Sequence, residues 1–269
     1  YERSSRTMKI LVCMKQVPAG TKVDIDPETG AMKRLSGETR TNPYDLFALE
    51  AALQLREKVG GSVTVLTMGP PQAEEMMRDA YTMGADDAVI LSDRKFAGAD
   101  VLATSYALSQ GITAIGDIDL IICGKQTTDG DTAQVGPAIA EHLGIPHAAW
   151  VSEIVDADSE SIQVKQDLVS VSQTSKIPYP CLITVDKDMC VPRLQSYLLQ
   201  KQSKDRPVKI MTFEDMADQN LSKYGLVGSP TAVEKMFAPP EVEKQVYFDG
   251  DAKEKTKQLF DVLVNKKVI

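Results

Sequence analysis

Four short apolar runs, each followed by a segment of helical spacing, constrain this chain more than any other feature. They are Lys9-Ile10-Leu11-Val12-Cys13-Met14, Ser62 to Met68, Ala88-Val89-Ile90-Leu91 and Leu120-Ile121-Ile122-Cys123. A strand reads as near-continuously apolar when both of its faces are buried, as in a parallel sheet covered by helices. The segments between supply the helices. Asn42-Pro43-Tyr44-Asp45 opens one, and apolar Leu46, Leu49, Ala52, Leu53 and Leu55 carry it to Gly60-Gly61. Gln72 to Met83 predicts a second helix closed by Gly84, Ala99 to Ile112 a third, and Thr132 to Leu143 a fourth stopped by Gly144. This alternation predicts an α/β fold with a doubly wound parallel sheet, because right-handed crossovers place helices on both faces.

After Trp150 the pattern changes. Glu153 to Asp167 and Leu168 to Thr174 alternate polar and apolar residues, which predicts a small antiparallel addition. Pro180 to Val185 is another buried strand. Beyond Asp205 hydrophobic density falls, Pro230, Pro239 and Pro240 interrupt the chain, and Lys253 to Val264 forms a charged amphipathic helix. The expected organisation is an N-terminal extension or tag remnant over 1–7, a nucleotide-binding α/β domain over 8–205, and an extended C-terminal arm over 206–269. Such an arm is too thin to build its own core and packs on something else. A peripheral lobe of the same domain is the alternative.

The net charge of -8 argues against a nucleic-acid partner, which would need a basic stripe. No apolar run approaches the roughly 20 residues that span a bilayer, so no membrane insertion is expected. Tyr1 to Thr7 lacks the apolar centre of a signal peptide. Cys13, Cys123, Cys181 and Cys190 show no CxxC spacing and read as reduced thiols of a cytoplasmic protein. With only His142 and His147, a histidine-rich metal site is not expected. No nucleophile–base or paired-carboxylate constellation stands out, so no catalytic side chain is assigned. Any chemistry belongs to a bound cofactor.

Ligands of open parallel sheets sit beyond the carboxyl ends of the strands, near the topological switch point. Four segments must crowd there: Cys13 to Gln16, Asn42 to Asp45, Met68-Gly69-Pro70, and Gly124 to Gly136. Gly124 lets the backbone turn tightly at a strand end. Asp129-Gly130-Asp131-Thr132 is a turn in which Asp131 or Thr132 is expected to cap the next helix. Ala133, Gly136 and Ala138 leave that helix start open to close approach. Free amides and the positive end of the helix dipole suit a phosphate or pyrophosphate. Any strand–loop–helix corner uses Gly, Asp and Thr this way, so spacing leaves an anion site and a plain corner equally open. Lys125 could meet a phosphate or simply be solvated. Neither GxGxxG nor GxxxxGK[ST] is present.

Several ordered motifs carry a resemblance. Lys9 to Pro18, Asn42-Pro43-Tyr44-Asp45 with Ala48-Leu49-Glu50-Ala51-Ala52, Met83-Gly84-Ala85-Asp86, Cys123-Gly124-Lys125-Gln126 with Asp129, Asp131 and Gln134, and Lys176 to Pro180 resemble the β subunit of electron-transfer flavoproteins. The likeness runs along nearly the whole chain after Met8. It implies a fold like the adenine-nucleotide hydrolases and a heterodimer with a flavin-bearing α subunit on which the C-terminal arm packs. It also implies an adenine nucleotide held by Cys13, Lys15, Asn42, Asp45, Met68, Gly124, Lys125, Gln126, Thr127, Thr128, Asp129, Gly130, Asp131, Thr132, Ala133, Gln134 and Val135.

In conventional members that nucleotide is a structural AMP. In the electron-bifurcating group it is FAD, which accepts hydride from NADH. The loop here resembles the bifurcating type, because conventional members carry a further acidic residue in place of Gly130. Phe96 to Thr104 is similar to that group as well. The resemblance then implies that electrons divide between ferredoxin or flavodoxin and, through the α-subunit FAD, a flavin-dependent dehydrogenase of acyl-CoA or hydroxy-acid type. The family's dehydrogenase-docking loop corresponds to Val191 to Leu199, with Leu194, Tyr197, Leu198 and Leu199 as an expected exposed patch. Tyr197 stands about where a leucine anchor is usual. These side chains could equally be core residues of an amphipathic turn. A nucleotide-sensing module of similar fold is a further alternative, against which the long C-terminal region and the late Pro180 motif count.

Overall fold

The computed structural model describes residues 7–19, 24–25, 32–33, 39–232 and 246–269. The chain divides into a large unit, Tyr1–Asp24 with Arg34–Glu234, and a small one, Ile25–Lys33 with Lys235–Ile269. The 1–7 reading lies outside the described residues except for Thr7.

Strands of the large unit begin with β1 (Lys9–Cys13) and β2 (Gln16–Pro18); β3 (Asp24–Ile25), at the boundary of the units, and β4 (Met32–Lys33), in the small unit, form a separate two-stranded pair. Next come β5 (Thr39–Thr41), helix α1 (Pro43–Val59), β6 (Ser62–Met68), α2 (Glu74–Met83), β7 (Asp87–Leu91), α3 (Val101–Ile115), β8 (Leu120–Gly124) and α4 (Val135–Leu143). The chain continues through β9 (His147–Ala157), β10 (Ser161–Leu168), β11 (Val171–Pro178), β12 (Cys181–Val185), α5 (Tyr197–Gln202) and β13 (Lys209–Met211). In the small unit, α6 (Ala252–Asn265) starts with a capping box in which Asp251 and Glu254 satisfy each other's backbone amides. Among the described residues no helix is long and apolar enough to cross a membrane.

The main sheet has nine strands in the order β11-β10-β9-β12-β8-β1-β6-β7-β13. Pairing is parallel from β9 through β13 and antiparallel in β9-β10-β11. The α/β expectation therefore holds, with the antiparallel strands continuing the same sheet. One buried cluster joins α1 and α2 to the sheet through Leu49, Leu53, Met77 and Tyr81, packed with Ile10, Val12, Val65 and Ile122. The other joins α3 and α4 through Leu108, Ile112 and Ile139, packed with Leu11, Leu66 and Ile121. Alternate residues of one strand thus serve opposite faces, which is why the run Ile10-Leu11-Val12 is apolar throughout. The order turns at β1: β6 and β7 extend one way, β8 and β12 the other. The switch point lies between β1 and β8.

Three expectations need correction. The helix predicted from Thr132 begins at Val135, because Asp131 and Ala133 take positive φ values of 51° and 54° that a helix does not allow. The helix predicted from Ala99 to Ile112 runs from Val101 to Ile115; Asp100 is its N-cap, its side chain accepting from the Ala103 amide. The stretch from 206 does not behave as one arm. β13 adds to the sheet edge beside β7, and Phe213, Met216 and Tyr224 are buried in the α3/α4 cluster. A three-residue edge strand, Lys209-Ile210-Met211, has too little apolar pattern to stand out, and its burial depends on the neighbour it covers.

Candidate functional site

At the switch point the carboxyl ends of β6, β1 and β8 lie side by side, bringing together Met68, Cys13 and Gly124. The start of α1 crosses over them. Gly124 packs so tightly on Tyr44 and Asp45 that a Cβ there would collide with the Tyr44 backbone and the Asp45 carboxylate. Only glycine permits this approach.

Asn42 precedes α1, where asparagine usually caps the helix, yet its side chain makes no cap hydrogen bond. It braces the loop instead: Nδ2 donates to the Gln126 carbonyl at 2.9 Å and Oδ1 accepts from the Thr128 amide at 3.2 Å. Its own amide donates to the Lys15 carbonyl at 2.9 Å. Asp45 is buried and accepts from the Lys15 amide at 2.7 Å. Burial pushes its carboxyl up to about 7, opposed by hydrogen bonds from Lys15, Asn42 and Gly124. Asn42 and Asp45 thus tie the ends of β1 and β8 to one helix start, and their polar atoms are spent on the protein itself.

The lysines are also committed. Lys15 Nζ bridges both oxygens of Asp129 at 2.8 Å. Burial would raise the Asp129 carboxyl, but hydrogen bonds from Lys15 and Thr127, together with the Lys15 charge, outweigh it and hold it below the usual range. Lys125 Nζ pairs with Asp186 at 2.8 Å and lies 4.6 Å from the centroid of the Trp150 ring. Lys125 therefore faces the end of β12, and its amide donates to the Val185 carbonyl. Beneath the loop, Cys13 and Cys123 stand in register on adjacent strands. Their mutual hydrogen bond and burial raise the Cys123 thiol well above its ordinary value.

From Thr128 onward the loop opens outward: Thr128, Asp129, Gly130, Asp131, Thr132 and Gln134 are exposed, and Thr127 and Ala133 half-exposed. Neither Asp131 nor Thr132 caps α4, contrary to expectation. Asp131 instead accepts from Gln126 Nε2, and Gln134 occupies the cap position with no side-chain hydrogen bond. The amides of Val135 and Gly136 therefore begin the helix without a side-chain acceptor. Ala133 has φ 54° and Gln134 is right-handed, an alternation that turns successive N–H groups toward one point. Gly136 packs against Thr184 and Cys123, so a Cβ there would push the helix start off the sheet. These features make a cradle of backbone donors with small residues around it, suited to an anionic group such as a pyrophosphate.

Sequence reasoning missed Trp150, Thr184 and Asp186, which support the loop from β9 and β12. Trp150 is at φ 61°, uncommon for a bulky residue, and its amide donates to Thr184 Oγ1 at 3.0 Å. Asp186 at the end of a buried strand was a visible signal; the left-handed Trp150 had none. In the segment expected to dock a dehydrogenase, Leu194, Tyr197 and Leu198 are exposed, whereas Leu199 is half-buried and turned toward Gly84.

A family model described as the electron transfer flavoprotein domain matches residues 29–217. The chain is 46% identical to Protein FixA of Azorhizobium caulinodans, covering 86% of this chain and 85% of that one. It is 41% identical to the acryloyl-CoA reductase electron transfer subunit gamma of Anaerotignum propionicum, covering 97% and 100%. With the electron transfer flavoprotein subunit beta of Clostridium acetobutylicum it shares 43% identity over 85% and 87%. The family match and these likenesses agree: the chain belongs to the electron transfer flavoprotein family, as a subunit of the β type.

Proposed function

We propose that this chain is the FAD-binding β subunit of an electron-bifurcating flavoprotein that oxidises NADH. The observation that carries the reading is the cradle at Ala133 to Gly136, where uncapped amides and small side chains meet the needs of a pyrophosphate. Gly130 supports FAD over AMP, because it leaves the outer rim of the loop without a side chain. In this reading the amides from Ala133 to Gly136 hold the pyrophosphate, and Cys13 and Met68 face the adenosine. Asn42 and Asp45 fix the loop without touching the ligand. Lys15 and Asp129 form the rim. The bound flavin supplies the change from two-electron to one-electron transfer. The protein's own part is to bind, orient and shield it, together with surface from the α subunit.

The relative named as an electron transfer subunit of an acryloyl-CoA reductase supports a flavin-dependent dehydrogenase of acyl-CoA type as one acceptor. A hydroxy-acid dehydrogenase fits the docking patch equally, and ferredoxin or flavodoxin takes the other electron. The test is to coexpress the chain with its α subunit and identify the nucleotide in each. FAD in both subunits, with NADH-dependent bleaching at about 450 nm, is the expected result. FAD in the α subunit with AMP in this one would overturn the bifurcation reading and leave a conventional carrier.

A further inference from the structure

The segment from Cys190 to Leu199 shows an arrangement that needs a cause. Val191, Leu194, Tyr197 and Leu198 are 85%, 91%, 70% and 63% exposed. A free chain carrying four such side chains would turn them inward, since burying apolar surface is favourable. Here the backbone is held at several points along the α1 and α2 face. Cys190 Sγ donates to the Phe47 carbonyl at 3.5 Å, and the Ser196 amide donates to the Thr82 carbonyl at 2.9 Å. The Gln195 side chain hydrogen-bonds Asp79.

The strongest anchor is Arg193. Its amide and Nε donate to Glu50 Oε2 at 3.1 and 2.8 Å, Nη2 to Glu50 Oε1 at 3.1 Å, and Nη1 to Glu57 Oε1 at 2.7 Å. The Glu50 side chain is 4% exposed and also accepts from Gln54 at 2.8 Å. Arginine's planar fork suits this multidentate geometry, which lysine cannot reproduce.

We infer that Arg193, clamped by Glu50 and Glu57, is the positioning residue that keeps Val191, Leu194, Tyr197 and Leu198 displayed for an acceptor dehydrogenase. The inference rests on the docking role proposed for this segment. Ordering these side chains beforehand removes an entropic cost from the encounter, so the clamp acts on docking and not on electron transfer within the heterodimer. Glu50 and Glu57 lie on α1, so the same helix braces the nucleotide loop at its first turn and the docking strip along its length.

The test uses the heterodimer with its flavins. Amide exchange over 190–199 is measured together with steady-state reduction of two candidate acceptors, a short-chain acyl-CoA dehydrogenase and a flavin-dependent hydroxy-acid dehydrogenase. Arg193→Met is expected to speed exchange in that segment. It should raise the apparent KM for whichever acceptor is reduced on the order of tenfold, with kcat and flavin content unchanged. Arg193→Lys should restore part of the loss. Glu57→Gln removes only the exposed leg, so it keeps the experiment readable if Arg193→Met fails to fold; it should shift exchange and KM the same way by less. Unchanged exchange in both variants overturns the clamp. Faster exchange with an unchanged KM overturns the positioning role if Leu194→Ala with Tyr197→Ala does raise KM. If that pair also leaves KM unchanged, or neither acceptor is reduced, the docking role itself falls.

Discussion

Asp45 and Glu50 sit about one and a half turns apart on one helix, both buried carboxyls, and their surroundings drive them in opposite directions. Burial would raise the Glu50 carboxyl, but hydrogen bonds from Arg193 and Gln54 hold it below its usual value. Stability from that pair is present above the unfolded value of about 4.5 and is lost as pH falls through the lower folded value. Removing one partner of such a pair strands the other, at a typical cost of roughly 3–5 kcal/mol. Asp45 has no cation of comparable geometry, and burial leaves it raised to about 7. Its folded state binds the proton more tightly than the unfolded chain does. Its contribution to stability is therefore full below about 3.8 and lost as pH rises through about 7. Urea midpoints of wild type and Asp45→Asn measured from pH 4 to 8 should show this. The wild-type advantage should shrink across that interval, against a baseline loss of about 1–3 kcal/mol for the disturbed hydrogen bonds. A difference that stays level with pH would mean that Asp45 is ionised throughout.

The strand–loop–helix element from β8 to α4 divides its labour between a braced half and an open half. The stretch from Gly124 to the Thr128 amide is tied to Asn42, Val185 and Asp186, and from the Thr128 side chain onward the loop faces outward. Gly130 belongs to the open half. A Cβ there would meet only Thr127 Oγ1, at 3.4 Å, and its backbone is not left-handed. Gly130→Glu is therefore expected to fold normally, within about 0.5 kcal/mol of wild type. If this residue decides between nucleotides, the variant heterodimer should lose FAD from this subunit and retain AMP, as read by chromatography of acid extracts. Full FAD retention would remove Gly130 as the discriminating feature.

On the scale of the whole molecule, the large unit depends on a late segment that covers its edge and closes one face. β13 covers the open side of β7, and Phe213 and Tyr224 pack with Phe96 at centroid distances of 6.4 and 5.7 Å. Tyr106, Asp218 and Lys223 tie the same segment to α3. Each large aromatic removed from a core costs roughly 3–5 kcal/mol, and whole domains are stable by only about 5–15 kcal/mol. A chain ending at residue 205 should thus aggregate or unfold without a cooperative transition, with the edge of β7 exposed. A chain ending at residue 234 should melt cooperatively. Thermal scans with light scattering would distinguish them, and a well-behaved 1–205 fragment would restore the earlier domain boundary.

The sequence alone determined the layered α/β fold, because strands buried on both faces are near-continuously apolar. Ser62 to Met68 and Cys181 to Val185 could be read as strands for that reason. It also located the switch point, since a sheet wound both ways from its first strand has one, and the motifs at Cys13 to Gln16, Asn42 to Asp45 and Cys123 to Gln134 gather there. Tertiary structure decided the rest. The start of α4, the side chains braced rather than offered to a ligand, the seat of β13 and the anchoring of Arg193 all depend on partners far along the chain. Asn42 reads locally as a helix cap, and it braces residues 126 and 128 only because the loop after β8 passes beside it. Arg193 is one charge between a proline and a leucine until α1 places two glutamates against it. Local spacing encodes periodicity and turns; contacts between remote residues exist only once the sheet has brought them together.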